Sequence, residues 1–248
     1  MSRFFHPAGF ADSLPGSLIS LDKEEAHHAS RVLRMQVGEL VELFDGSGNS
    51  LPAKLLRVEK RGVDVEVCGP MTATSSPRSS IILATAMPKG DRLRWLVEKG
   101  TELGVYQIIP LRTERSVVQG GSGKVEKMEQ VVIAACKQCR RNDLMSILDP
   151  MSWDSFWRLP LVSTEPGTVI LLAHPDGGAL SSVFEIMHRE SVPQRIVWLI
   201  GPEGGFSPRE ADEAIARGAI PISLGNLILR IETAAILAAA VTGASPHR

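Results

Sequence analysis

Polar and apolar residues interleave over residues 39–44 (Glu-Leu-Val-Glu-Leu-Phe), a pattern that predicts a strand with one buried face. Asp45-Gly46-Ser47-Gly48-Asn49 follows with the residue types of a turn, and the strand pattern resumes over 51–58 and 63–67. That is a hairpin followed by a third strand. One helix comes before it: Asp22 can cap it, Glu25 stands where it would close a capping box, and Ala26, Ala29, Val32 and Leu33 keep helical spacing. Short strands with a single helix predict a small β-barrel over residues 1–72.

Residues 73–80 are polar, carry a proline and have no periodicity, which is how a linker reads. Beyond them the pattern changes. Continuous apolar runs at 81–86, 105–109, 169–173 and 196–200 are separated by helical segments at 92–103, 124–139 and 208–217. Apolar runs without alternation are strands covered on both faces, so residues 81–248 are expected to form an α/β domain around a mostly parallel sheet.

Composition narrows the class without changing this division. Apolar residues make up 44% and charged residues 22%, the proportions of a soluble globular protein. No window reaches the roughly eighteen apolar residues of a membrane span, and no secretory signal precedes the first strand. Cys68, Cys136 and Cys139 make no disulfide framework, which fits a reducing, cytoplasmic setting. The net charge of −1 hides an uneven spread: residues 1–77 carry −2, residues 78–142 carry +6 and residues 143–248 carry −5. A basic stripe is what phosphate contacts need, although a solvated helix face would give the same count.

The sharpest local signal is the run Gly201-Pro-Glu-Gly-Gly-Phe-Ser-Pro-Arg-Glu210, placed between a buried strand and a helix for which Ser207, Pro208 and Glu210 supply cap signals. Ligands bind at such strand ends in α/β sheets, where small residues let them approach backbone N–H groups. A tight turn alone would also account for the glycines. The dinucleotide fingerprint Gly-x-Gly-x-x-Gly is absent. Phosphate-loop chemistry fails too, because Val118 replaces the first glycine before Gly123-Lys124 and Val125 replaces the Ser or Thr that would hold magnesium. Cys136-x-x-Cys139 lies in phase with the apolar face of a helix, and core packing is the better account of it than metal or redox chemistry. His27 and His28 are adjacent and cannot share one ligand face, so no metal is expected. A second glycine-bearing loop after residue 222 leads through Gly225 to Arg230, Glu232 and Thr233 at the start of an alanine-rich helix. His174-Pro175-Asp176-Gly177-Gly178 makes a third, and together the three could wall a pocket.

Taken in order, Lys99-Gly-Thr-Glu-Leu-Gly-Val, Gln138-Cys-Arg-Arg-Asn142, the Gly201 run and Leu224-Gly-x-x-Ile-Leu-Arg-x-Glu-Thr-Ala resemble the RsmE family, as do Arg3-Phe-Phe and His28-x-x-Arg-Val-Leu-Arg34 near the N-terminus. Members of that family are SPOUT-class methyltransferases that use S-adenosylmethionine to methylate N3 of a uridine in small-subunit (16S) ribosomal RNA. The resemblance implies a PUA-like β-barrel for RNA, then an α/β domain with a C-terminal trefoil knot, assembled as a homodimer. Carried onto matching positions, it places the cofactor against Leu172, Ala173, His174, Gly201, Glu203, Gly204, Gly205, Leu224, Gly225, Ile228, Leu229 and Arg230. The RNA side would use Arg3, Arg31, Arg34, Arg115, Arg140 and Arg141. Glu203 and Glu232 are candidates for the base that takes the N3 proton, and Arg230 for orienting the cofactor or stabilising charge.

The sequence departs from the family at Asn226, Leu227 and Ile231, where one customary arginine is missing, which puts any contact made by that arginine in doubt. It ends at Pro246-His247-Arg248, so fewer dimer contacts are expected from that end. A methyltransferase acting on another RNA site, or a ribosome-assembly factor without catalysis, remain the alternatives.

Overall fold

The computed structural model describes residues 1–10, 13–59, 62–74, 80–116, 123–163, 167–188 and 193–244. Residues 75–79 of the expected linker, the glycines at 120 and 121, and Pro246-His247-Arg248 lie outside the described residues. The chain divides into two units, one of residues 1–76 with 136–144 and the other of 77–135 with 145–248.

The first unit comprises β1 (Ser2–Phe5), β2 (Leu18–Ser20), α1 (Lys23–His27), β3 (Leu40–Phe44), β4 (Asn49–Glu59), β5 (Gly62–Val67) and β6 (Thr72–Ala73). Its strands pair in the order β1-β3-β4-β5-β2, with β6 on β4. The expected hairpin and third strand are the antiparallel β3, β4 and β5. Along β5, Val63, Val65 and Val67 are buried while Asp64 and Glu66 are not, the period of two that a one-sided sheet imposes. These valines pack with Phe4, Val41, Leu43, Leu51 and Leu55.

Two expectations for the first helix are corrected. Asp22 does cap α1, accepting from the Glu25 backbone N–H at 2.8 Å, but Glu25 completes no capping box. Its carboxylate is buried and receives Lys137 instead. After His27 the helix widens to a π-turn over His28–Val32, which changes the angle between successive side chains. Ala26 and Ala29 therefore stay in the core while Val32 and Leu33 are 61% and 43% exposed.

Residues 136–144 join this unit by filling the turn at 45–49. Leu144 N–H donates to Gly46 O (2.9 Å), and Asn142 Nδ2 donates to Ser50 Oγ (3.2 Å) and Thr74 Oγ1 (2.9 Å). Nothing in the local sequence pattern marks this pairing.

The second unit runs through β7 (Ser80–Thr85), α2 (Asp91–Glu102), β8 (Val105–Arg112) and α3 (Gly123–Cys139), whose last turn belongs to the first unit. It continues as β9 (Ser146–Ile147), β10 (Met151–Ser152), α4 (Trp153–Phe156), α5 (Pro160–Ser163), β11 (Thr168–Gly178), α6 (Ser182–Met187), β12 (Arg195–Ile200), α7 (Pro208–Ala216), β13 (Ile220–Ile222) and α8 (Ile231–Gly243). The sheet order is β10-β8-β7-β12-β11-β13, with β9 on β8, and the pairs are parallel. Each apolar run of the sequence is one of its central strands, as burial on both faces requires. Val197 and Leu199 of β12 face a core that includes Trp153, Phe156, Trp157, Ala211 and Ala214. On the other face α8 packs against β7, β12 and α2. Thr242 of this alanine-rich helix accepts a hydrogen bond from the buried Trp198 indole N–H at 3.0 Å, giving that donor the partner it needs.

The expected third glycine loop is instead the end of β11. Ala173 and Gly178 both lie opposite Ile222 of β13, so residues 174–177 arch around that residue. A Cβ on Gly177 would meet the Ile222 backbone nitrogen at 2.5 Å, a contact no side-chain-bearing residue could make.

Candidate functional site

Two loops at the carboxyl ends of β12 and β13, together with the arch of β11, build the site. Gly201 follows β12 in a turn so tight that a Cβ there would lie 3.0 Å from Phe206 N, and Gly205 adopts φ +69°. Ser207 then caps α7 with both arms of a capping box: its Oγ accepts from Glu210 N–H (3.2 Å) and its own N–H donates to Glu210 Oε2 (2.9 Å). The other Glu210 oxygen accepts from Glu114 N–H (2.9 Å), tying the segment after β8 to the same turn.

Arg115 completes this clamp. Its Nη1 donates to the carbonyls of Gly204 (2.7 Å) and Phe206 (3.3 Å), so an arginine expected to face RNA is a structural tie of the glycine loop. The loop after β13 bends at Gly225, φ +123°, and carries Leu227 and Ile228 at 81% and 94% exposure.

Between these loops lies a cleft of about 330 Å³ lined by residues 173–175, 200–205 and 224–229 with Ala234. Of the residues expected at the cofactor, Ala173, His174, Gly201, Glu203, Gly204, Gly205, Leu224, Gly225, Ile228 and Leu229 line it. Leu172 and Arg230 do not: Leu172 is fully buried in β11, and Arg230 is the exposed N-cap of α8. Pro175, Pro202, Asn226 and Leu227 also line it, from loops the sequence marked without assigning these residues to the cofactor, and Ile200 and Ala234 were missed, their only signal being adjacency to the motif residues. Among the described residues, Glu203 is the only formally charged side chain in the lining.

A second, smaller cavity of about 160 Å³ shares Pro202 and Glu203 with the cleft and is completed by residues 86–89, Arg92, Ser116 and Ile231. Arg92, from the first turn of α2, donates from Nη1 to Glu203 Oε1 at 3.2 Å. The same nitrogen lies 3.8 Å from Glu232 Oε2. Glu232 is 5% exposed, and that oxygen has no hydrogen-bond partner among the described residues. A bare carboxylate oxygen in a dry site is costly unless its field acts on something. The two candidate bases thus meet at one arginine that the sequence motifs did not single out.

The remaining expected RNA contacts lie in the first unit and divide. Arg3 is 5% exposed; its guanidinium is bonded to Asn142 Oδ1 and to Cys136 O (2.9 Å), and its Nε stands 2.8 Å from Glu42. Arg141 pairs with Asp143 at 2.6 Å. Arg3 serves the fold, because a buried cation must be matched by partners, whereas Arg141 is only partly buried. Arg31 and Arg34 are exposed and line one cavity of about 270 Å³, and Arg140 is exposed with φ +62°. Burial pushes the Cys136 thiol up to about 12, which leaves it inert as a nucleophile or metal ligand and fits the packing role expected for the Cys pair. Among the described residues no cluster of His, Cys, Asp and Glu could hold a metal ion, and no helix is long and apolar enough to cross a membrane.

Comparison with known proteins gives the following. Residues 74–243 match the family model of an RNA methyltransferase domain, and residues 21–68 match that of an RNA methyltransferase PUA domain. The Ribosomal RNA small subunit methyltransferase E of Bacillus subtilis is 27% identical over 245 residues, covering 96% of this chain and 94% of its own. The same-named protein of Neisseria gonorrhoeae, solved bound to S-adenosyl methionine, aligns with TM-score 0.83 at 28% identity over 97% of this chain and 95% of its own. A Legionella pneumophila protein described as a methyltransferase, solved with bound SAM, aligns with TM-score 0.83 at 34% identity over 98% and 96%.

Proposed function

The chain belongs to the RNA methyltransferase family whose curated members are the small-subunit enzymes E, and from that premise we propose that it methylates N3 of a uridine in 16S ribosomal RNA with S-adenosylmethionine. The observation that carries this reading is the cleft at the strand ends. At about 330 Å³ it falls in the range of roughly 300–1,000 Å³ typical of small-molecule sites. Glycine backbone and the apolar Ile200, Leu224, Leu229 and Ala234 suit an adenosine, and among the described residues the lining carries no Lys or Arg for a triphosphate. Glu203 suits a positively charged sulfonium. The residues present therefore fit S-adenosylmethionine and disfavour ATP.

When bound, that cofactor supplies an electrophilic methyl group: the N3–C bond forms as the C–S bond breaks, the electron pair goes to sulfur, and the N3 proton must leave. The chain's own residues do the rest. Glu203, half-exposed and lining both cavities, is assigned the proton acceptor. Arg92, held between Glu203 and Glu232, stabilises the negative charge that develops on the ring oxygens as the proton departs. Glu232 is assigned the countercharge that positions Arg92, and Arg230 acts outside the cleft lining. The buried capping box and the Arg115 tie hold the loop so that little reorganisation accompanies reaction.

RNA is assigned first to Arg31, Arg34 and Arg140, which are exposed. The first domain, residues 1–72, is assigned to RNA recognition and residues 81–248 to methyl transfer. A chain threading of the trefoil kind is assigned to the methyl-transfer domain with the family. Exposed Leu227 and Ile228 support a homodimer that covers them, and the reaction is placed in the cytoplasm with its ribosomal substrate.

Calorimetric titration with S-adenosylmethionine, S-adenosylhomocysteine and ATP tests the reading. Saturable binding of the first two without ATP is expected; binding of ATP alone, or of none, rejects it.

A further inference from the structure

We propose that the smaller cavity beside Glu203 receives the target base and reads the imide edge of a uracil, with Arg92 and Lys89 of its lining as donors and the Glu203 carboxylate as acceptor. The assignment rests on the methyltransferase reading above and supplies what it lacks, a place for the ring that accepts the methyl group.

Three observations carry it. The first is position, because Pro202 and Glu203 line both cavities. The second is size. At about 160 Å³ the cavity has half the volume of the cleft and lies below the roughly 300 Å³ at which drug-sized ligand sites begin, so it suits one ring and not a whole nucleoside cofactor. Met87, Pro88 and Ile231 give it apolar walls for the faces of a ring.

The third is chemistry. The edge of uracil presents a carbonyl, an N–H and a carbonyl: acceptor, donor, acceptor. Its complement is donor, acceptor, donor, and Arg92, Glu203 and Lys89 supply those types. Arg92 Nη1 and Glu203 Oε1 lie 3.2 Å apart, close enough to meet neighbouring C=O and N–H groups of one edge. Cytosine would set a ring-nitrogen lone pair against the carboxylate, and a uracil already methylated at N3 would have no proton to offer and a methyl in the way. Sites that hydrogen-bond a substrate group reject analogues lacking it strongly, because their own polar atoms are left unpaired. The pocket thus selects the unmodified base and releases the product.

The test is RNA binding by the full-length protein saturated with S-adenosylhomocysteine. The probe is a short single-stranded RNA with one uridine, compared with the same RNA carrying cytidine or 3-methyluridine at that position, read by fluorescence anisotropy. Wild type should prefer uridine by about tenfold or more over both. Arg92→Met and Lys89→Met should each bring the three affinities to within about threefold, and Arg92→Lys should restore part of the preference, with S-adenosylhomocysteine affinity unchanged throughout. Lys89 is exposed, so its variant keeps the test valid if an Arg92 variant fails to fold. Wild type without preference, or undiminished preference in the Met variants while S-adenosylhomocysteine still binds, overturns the pocket alone. Absence of S-adenosylhomocysteine binding by wild type overturns the methyltransferase reading and this proposal with it.

Discussion

In the first unit the buried charges face opposite charges: Arg3 stands against Glu42, and Glu25 receives Lys137. At the strand ends of the second unit, Glu232 is equally buried but stands 3.8 Å from Arg92, and Leu227 and Ile228 stand in solvent. Both regions carry arginine, glutamate and glycine in motifs of similar appearance. In one, each of these buried charges meets its opposite at contact distance, although Arg3 Nε and Glu25 Oε2 keep no hydrogen bond among the described residues; in the other, the Glu232 carboxylate stands farther from its cation, where a ligand could come between them. Distance to the opposite charge, and not residue type, separates the two regions here.

The largest expected effect breaks the first half of this contrast. Arg3→Met leaves Glu42 and Asn142 without their buried partner and should cost about 3–5 kcal/mol in denaturant unfolding, while S-adenosylhomocysteine binding in the folded fraction stays unchanged. A loss under 1 kcal/mol would show that the arginine is not needed by the fold and return it to the RNA side.

Next, Glu203→Gln should lower kcat about 100-fold with little change in KM for RNA, as removal of a proton acceptor does. Glu232→Gln should raise KM for RNA more than it lowers kcat, because it acts through Arg92. Equal kinetic effects of the two variants would erase the distinction drawn between them.

Arg31→Ala with Arg34→Ala should weaken RNA binding and flatten its dependence on log salt by about 1–2, one for each phosphate contact removed, with melting temperature nearly unchanged. An unchanged salt slope would move the RNA footprint off this unit.

The smallest effect concerns Asp45, which accepts from Ser47 N–H (2.8 Å), Asn49 N–H (3.0 Å) and both side chains. Burial opposes its ionisation, but the hydrogen bonds from Asn49 and Ser47 outweigh burial and hold its carboxyl below the ordinary 3.8. With a folded value below the unfolded one, its stabilisation is present above the ordinary value and fades as pH falls through the lowered one. Asp45→Ala should therefore cost about 1 kcal/mol near neutral pH, reduced by partial exposure, and the gap from wild type should narrow on acidification in pH-dependent melts. A gap independent of pH would mean that the turn does not depend on the charge.

Much of this was legible beforehand where neighbours along the chain decide the outcome. The antiparallel meander, the central parallel strands, the Ser207 cap and most of the cleft lining follow from local pattern and motif order. Legibility failed where a distant partner competes. Glu25 abandons its capping position because Lys137, 112 residues away, can reach it in a buried place. The same competition takes Arg3 into the interior and engages Arg115, still exposed, with the glycine-loop carbonyls.

By itself the sequence determined the period of each element, the glycines that permit positive φ and close approach, and the family whose motifs it carries. Only the tertiary structure decided which charges are neutralised, that residues 136–144 complete the first unit, and that Arg92 stands between Glu203 and Glu232. The physical reason is range. Backbone preference and side-chain period act over a few residues, whereas the cost of a buried charge depends on what lies within about 4 Å of it in space, and that is known only once the chain has folded.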